Sequence, residues 1–163
     1  LNDEKTKEVL SDSGYYHTGD IGEICADGFI TVTGRIKDTF KTSKGEFITP
    51  TIIENMISDD SNIEQVCVVG LGMPQPMALV VLSEHSRSRP SSEVSKELAN
   101  TLSSVNSKLK SHEVINCIII CKKDWTADDG FMTPTLKIKR NIIMTHYINI
   151  LLENAENKSV IWE

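Results

Sequence analysis

Apolar residues along the chain follow two spacings, one typical of buried strands and one typical of helices. Three continuous apolar runs have the length of central strands, at residues 64–70, 77–83 and 115–121. Between the second and third runs, apolar positions recur at steps of three and four and predict an amphipathic helix, through Val94, Leu98, Leu102, Val105 and Leu109. A last helical pattern passes through Ile143, Tyr147 and Leu151.

The N-terminal third is patterned for short β elements. Residues 1–10 are predicted to contain the end of a helix. Two β-prone runs follow, 21–25 and 29–33, on either side of Asp27-Gly28, the pair favoured in type I′ turns. A second hairpin is predicted for 39–42 and 46–49 around a Ser-Lys-Gly turn.

A helix is predicted to begin at Pro50, with Thr49 as its N-cap, and to end near Asp59. The sum of these elements is an α+β fold: a small domain from about Asp38, in which a β-hairpin precedes a mixed sheet flanked by helices. The β-rich strip before Asp38 is expected to belong to another domain.

Composition narrows the class of protein. The chain has 163 residues, of which 39% are hydrophobic and 25% charged, as in soluble globular proteins. A net charge of −6 argues against a nucleic-acid binder. No apolar run approaches the roughly 20 residues of a membrane span, and no secretory signal follows Leu1. Because Leu1 is not a methionine, we expect the chain to come from a longer protein.

The cysteines indicate a reducing compartment and no metal site. None of the four cysteines forms a zinc-type pattern with other cysteines or histidines; they are Cys25, Cys67, Cys117 and Cys121. Reduced core thiols of a cytoplasmic protein are therefore the expectation.

Three segments carry candidate chemistry, and the first ends at Asp20. In the segment Tyr16–Asp20, a Gly-Asp pair before a strand presents a carboxylate with no local partner. Such a group can accept hydrogen bonds from the vicinal diol of a ribose. The alternative is a turn in which Asp20 bonds its own backbone.

The second segment, residues 34–46, joins two β elements through a charged linker. Such a linker can serve as a hinge, and Arg35 can bind an anion or a ribose. The alternative is a solvated connector.

The third segment, residues 133–140, places three cations at the apparent start of a helix: Lys137, Lys139 and Arg140. The helix dipole disfavours positive charge there, so an arriving anion such as a phosphate is indicated. The alternative is a solvated basic face. No glycine-rich phosphate loop is present in the chain.

Together and in this order, the three segments resemble the C-terminal signature blocks of the adenylate-forming superfamily, which groups acyl-CoA synthetases, luciferases and nonribosomal-peptide adenylation domains. Residues 16–20 resemble its T-G-D block, 34–45 its G-R-x-[KD]-D…K…G-E block, and 133–140 its closing block. The stretches GRIKDTFKTSKGEFITP and MTPTLKIKR are most similar to the long-chain fatty acyl-CoA synthetase type. The resemblance runs from about Gly14 to about Tyr147.

The resemblance implies a nucleotide site divided between segments. Asp20 would bind the ribose of ATP, with Arg35 and Thr18 supporting the nucleotide. Lys137 would be the catalytic lysine of adenylation. Leu136 stands before it where many members of the superfamily have glycine.

The resemblance also implies a domain boundary. Lys37 and Asp38 would form the hinge, Gly45 would lie near the pantetheine channel, residues 1–36 would end a large adenylation domain, and 37–163 would form the C-terminal lid.

The implied activity is that of an acid–thiol ligase. The full-length enzyme would use ATP, Mg2+ and coenzyme A to form a fatty acyl-AMP and then a thioester, with most substrate contacts made by its N-terminal adenylation domain. The fragment alone would be inactive, and peripheral contact of the full-length enzyme with membranes is compatible with the resemblance. Two alternatives remain open: an autonomous module that docks a carrier protein, and the lid of a ligase that transfers to acyl-carrier protein.

Overall fold

The computed structural model describes residues 3–163, in which six α-helices and eight strands form. The helices are α1 Asp3–Val9, α2 Pro50–Ser58, α3 Glu84–Arg87, α4 Ser91–Asn106, α5 Arg140–His146 and α6 Ile148–Glu153. The strands are β1 Asp20–Ile24, β2 Ile30–Arg35, β3 Phe40–Lys41, β4 Phe47–Ile48, β5 Ile63–Val69, β6 Met77–Leu82, β7 Ile118–Cys121 and β8 Val160–Trp162. The expected α+β class is confirmed.

The centre of the fold is a four-stranded mixed sheet in the order β5-β6-β7-β8. Strand β5 runs antiparallel to β6, whereas β6, β7 and β8 are parallel. Strand β8 was not predicted from the sequence, because three residues at the end of the chain give no periodic signal. Trp162 fastens it by donating from Nε1 to Ser95 Oγ at 2.8 Å.

Both faces of this sheet are covered, which explains why its strands read as continuous apolar runs. One face packs against α2 and α4 through alternate strand residues such as Val66, Val80 and Ile118. The other face packs against α5, α6 and the long loop after β7, through Cys67, Leu79, Ile119 and their neighbours.

Three apolar patterns are only partly occupied by the elements that they predict. The helical pattern that ends at Leu109 forms α4 only as far as Asn106. The run 115–121 is a strand only over Ile118–Cys121, because Ile115 exchanges its backbone hydrogen bonds with the side chain of Asn106, at 2.8 and 2.9 Å. The last helical pattern is divided into α5 and α6, since Tyr147 between them has φ −94° and ψ 11°. Its apolar positions are nevertheless buried.

The first hairpin forms with a different turn from the one expected. Cys25 O accepts from Gly28 N at 2.9 Å, and Gly28 alone of the turn residues has a positive φ, of 86°. A type I′ turn would need positive φ at two positions, so the type I′ prediction is wrong. The glycine instead follows the turn as a bulge residue.

The second predicted hairpin forms, and α2 begins at the predicted residue. Strands β3 and β4 pair antiparallel, and Pro50 is the first residue of α2. Thr49 is the N-cap by position, although its side chain makes no capping hydrogen bond. Within residues 3–163, no helix is long and apolar enough to cross a bilayer.

Candidate functional site

Asp20 and Arg35 face each other across the first hairpin. They are partners in the antiparallel register of β1 and β2, and Arg35 Nε donates to Asp20 Oδ1 at 2.9 Å. The expectation that Asp20 lacks a local partner is therefore wrong, because the hairpin brings together two residues that are 15 positions apart in sequence. The pair is exposed, with side-chain exposures of 58% for Arg35 and 32% for Asp20, so it adds little stability and can rearrange around a ligand.

The side chain of Thr18 contacts the backbone of Asp20. Its Oγ1 accepts from Asp20 N at 3.1 Å, which is a Ser/Thr turn. The alternative of a turn closed by the Asp20 side chain does not occur. The carboxylate is directed to Arg35 instead.

The chain brings Asp20 and Arg35 into one open cleft with Lys137. This cleft has a volume of about 410 Å³ and is also lined by Gly34, Asp38 and Thr51. The first candidate segment therefore supplies Asp20, the second supplies Arg35 and Asp38, and the third supplies Lys137. Gly45 is not among the residues that line it: it forms the tip of the second hairpin, at φ 88°.

Lys137 is presented at the end of a tight loop. Thr133 N donates to Lys137 O at 2.8 Å, and Lys137 N donates to Thr133 Oγ1 at 3.0 Å. Leu136, immediately before the lysine, has a φ of 59° and is 71% exposed. A bulky residue in the left-handed region is strained, and such strain is concentrated at functional sites.

Arg140 is paired with a carboxylate of the chain itself, so it is not free to bind the arriving anion that the sequence predicted. It is the first residue of α5, and its guanidinium pairs with both carboxylate oxygens of Glu54 on α2. It also donates to Val68 O at 2.7 Å. Burial lowers the pKa of Arg140, but the hydrogen bond and charge of Glu54 outweigh it and raise the pKa overall. The prediction that the three cations 137, 139 and 140 attract an anion is thus wrong for Arg140. Lys137 and Lys139 lie before the first residue of α5.

Glu54 was missed by the sequence analysis. The only feature of the sequence that pointed to Glu54 was its position next to Ile53, at the border of the apolar face of α2. A helix pattern alone does not distinguish such a residue from a solvated one.

The predicted linker after β2 contains a single 3-10 turn, Ile36–Asp38. Thr39 N and Thr39 Oγ1 both donate to Arg35 O, at 3.2 Å each. Lys37 is exposed and, with Asp38, lines a second open cleft of about 730 Å³ that contains Lys41 and Lys139. Among residues 3–163, no group of three or more His, Cys, Asp or Glu residues could hold a metal ion.

The sequence matches the family described as AMP-binding enzyme C-terminal domain over residues 37–154. It is 31% identical to a chloroplastic long-chain fatty acid–[acyl-carrier-protein] ligase of Arabidopsis thaliana, across 90% of this chain and 22% of the relative. It is 34% identical to long-chain fatty acid–CoA ligase 5 of Rattus norvegicus, across 84% and 23%. The chain thus spans about a quarter or less of the length of these relatives.

Solved structures resemble the chain over most of its length. The adenylation domain of a carboxylate reductase from Mycobacterium chelonae superposes with a TM-score of 0.77 at 23% identity, over 93% of this chain and 24% of that one. The didomain of a carboxylic acid reductase from Segniliparus rugosus, solved with AMP, gives 0.75 at 25% identity, over 92% and 22%.

Proposed function

The chain belongs to the family of AMP-binding enzyme C-terminal domains, and we propose that it is the C-terminal part of an ATP-dependent long-chain fatty acid ligase. The observation that carries this proposal is the cleft shared by Asp20, Arg35 and Lys137. The two cationic side chains, Arg35 and Lys137, suit the phosphate oxygens of a nucleotide, and the Asp20 carboxylate suits its ribose diol; Asp38 also lines the cleft.

Each of these residues has a distinct proposed role. Asp20 accepts hydrogen bonds from the ribose hydroxyls, Arg35 orients that carboxylate and adds positive charge, and Thr18 fixes the backbone of Asp20. Lys137 acts on the reacting oxygens. When the fatty acid carboxylate attacks the α-phosphate of ATP, negative charge builds on the oxygens between them, and a lysine there stabilises the transition state more than the ground state.

The domain division remains part of the proposal. We place residues 1–36 at the end of a large adenylation domain and residues 37–163 in the lid. The family match beginning at residue 37 supports this division. The hinge would then be Lys37 and Asp38, in a 3-10 turn exposed enough to change its dihedral angles.

Exposed apolar residues on the first hairpin support the proposal that another domain packs against it. Ile24, Phe29 and Ile30 have exposures between 72% and 78%. An apolar patch of this kind indicates a contact surface, and the large domain of the same protein is the expected partner.

The second half-reaction would use a pantetheine thiol, with Gly45 near its channel. The acceptor is either coenzyme A or an acyl-carrier protein, and the relatives include ligases named for each. Mg2+ would enter with ATP, since the described residues gather no carboxylate cluster to hold it. A cytoplasmic location is supported by four free cysteines, three of them buried.

The test is an activity assay on the full-length protein. It should release pyrophosphate when given ATP and a long-chain fatty acid, and form a thioester when coenzyme A or acyl-carrier protein is added. The 163-residue chain alone should do neither. Tight binding of a macromolecule by that chain, with no ligase activity in the full-length protein, would favour an autonomous docking module instead.

A further inference from the structure

We propose that Glu54 is a positioning residue for adenylation, which holds the Lys137 loop in place through Arg140. The inference rests on the proposed function of Lys137. Glu54 lies on α2, far in sequence from the loop and outside the cleft that contains Lys137. Its influence is therefore exerted through Arg140.

The pair lies at the open edge of the central sheet. Strand β5 is the first strand of the order, and among the described strands none pairs with its outer side. The outward backbone groups of Val68 are satisfied by this pair: Val68 N donates to Glu54 Oε1 at 2.7 Å, and Val68 O accepts from Arg140 Nη1 at 2.7 Å. One ion pair thus covers the edge at Val68 and joins α2 on one face to α5 on the other.

The geometry of Arg140 is narrowly determined. Both side chains are largely buried, with 18% exposure for Arg140 and 15% for Glu54. Two parallel bonds between a guanidinium and a carboxylate fix orientation as well as distance. Arg140 also occupies the first position of α5, where the helix dipole opposes a cation. Glu54 supplies the compensating charge, without which Arg140 would be a buried charge lacking a partner.

The loop that carries Lys137 ends at this anchor. Met132 and Ile138 form an isolated antiparallel bridge, and Lys139 N donates to Phe131 O at 2.8 Å. Residues 131–139 therefore form a narrow hairpin whose returning strand runs directly into Arg140. If Arg140 shifts, the strand shifts with it, and Lys137 lies only three residues away. A displacement of about 1 Å at a catalytic group can cost up to about 100-fold in rate.

The chain contains a second arginine–glutamate pair that serves as a control. Arg89 donates to both oxygens of Glu97, at 2.8 and 2.6 Å, and Asn62 donates to Glu97 as well at 2.9 Å. These bonds, first from Arg89 and then from Asn62, lower the pKa of Glu97 to about 2. Neither Arg89 nor Glu97 lines the cleft that contains Lys137. Loss of this pair should affect stability without affecting the position of Lys137.

The experiment compares Glu54→Gln with Glu97→Gln in the full-length protein. Adenylation is followed as fatty acid-dependent ATP–pyrophosphate exchange, and the second step as thioester formation from supplied acyl-AMP. Glu54→Gln should slow adenylation by about 10-fold or more and change the second step by less than about twofold. Glu97→Gln should leave both rates unchanged. Equal losses in both half-reactions, or an unchanged adenylation rate, would overturn the inference.

A second comparison separates positioning from general stability. In a Lys137→Ala background, Glu54→Gln should cause no further loss of adenylation, because the group that it positions is already gone. An undiminished loss in that background would refute the positioning role. If Glu54→Gln fails to fold, Arg140→Lys replaces it, which keeps the charge but not the paired bonds, and the same selective loss is expected. A wild-type protein without pyrophosphate exchange would instead refute the proposed function, and the inference with it.

Discussion

Gly34 approaches Thr49 so closely that a Cβ on Gly34 would lie 2.6 Å from Thr49 Cγ2. Gly34 belongs to β2, before the 3-10 turn, and Thr49 occupies the N-cap position of α2, after it. The contact therefore joins the hairpin that precedes the 3-10 turn to the helix that follows it. A side chain on Gly34 would push these elements apart next to the cleft that Asp20 and Lys137 share, which Gly34 also lines.

The first prediction concerns this contact. Gly34→Ala should slow adenylation several-fold, because the added methyl group forces β2 away from α2 and opens the cleft. The β-branched side chain of Thr49 has few rotamers with which to retreat. The rate is measured as ATP–pyrophosphate exchange by the full-length protein.

The same contact offers a compensating change as its control. Thr49→Ser removes Cγ2 and should restore most of the exchange rate in the Gly34→Ala variant, while having little effect by itself. If the double variant is as slow as Gly34→Ala alone, the closeness of these two residues is not what governs the rate.

A second prediction concerns Asp20. Asp20→Asn keeps the size of the side chain but removes the charge that makes it a strong acceptor. Hydrogen bonds to charged groups contribute about 1.5–3 kcal/mol, so the KM for ATP should rise roughly 10-fold or more. Steady-state kinetics of the full-length protein measure it. Asp27→Asn, in the turn at the opposite end of the same hairpin, is the control and should leave this KM unchanged.

A third prediction concerns the strain at Leu136. Leu136→Gly should raise the free energy of unfolding of the 163-residue chain by roughly 0.5–1 kcal/mol, because glycine tolerates the left-handed φ of 59°. Leu136→Ala retains the Cβ and should bring no such gain. Urea unfolding with an unchanged m-value measures the difference. A gain of equal size in the alanine variant would show that the backbone of Leu136 is not strained.

Much of the fold could be predicted because its elements are long or strongly patterned. The helix through Val94, Leu98 and Leu102 forms, although it ends at Asn106 and does not reach the predicted Leu109, since a sixteen-residue helix with one apolar face leaves no competing interpretation. Strand β8 and the break at Tyr147 could not be predicted. The first has only three residues, and the second depends on how α5 and α6 meet the sheet.

The site was only partly predictable for a similar reason. The segments that contain Asp20, Arg35 and Lys137 carried recognisable residue types, and the structure brings these three side chains to one cleft. The Asp20–Arg35 contact depends on strand register, and the Glu54–Arg140 pair joins residues 86 positions apart. Tertiary contacts of that kind leave no periodic pattern in the sequence.

The central claim is that Lys137 acts in adenylation, and the most direct test is Lys137→Ala in the full-length protein with the two half-reactions measured separately. Adenylation should slow by about 100-fold or more, while thioester formation from supplied acyl-AMP should stay close to wild type. Lys139→Ala, which removes a neighbouring cation that lines the other cleft, serves as the control and should spare adenylation. Equal losses in both half-reactions of the Lys137 variant would contradict the account.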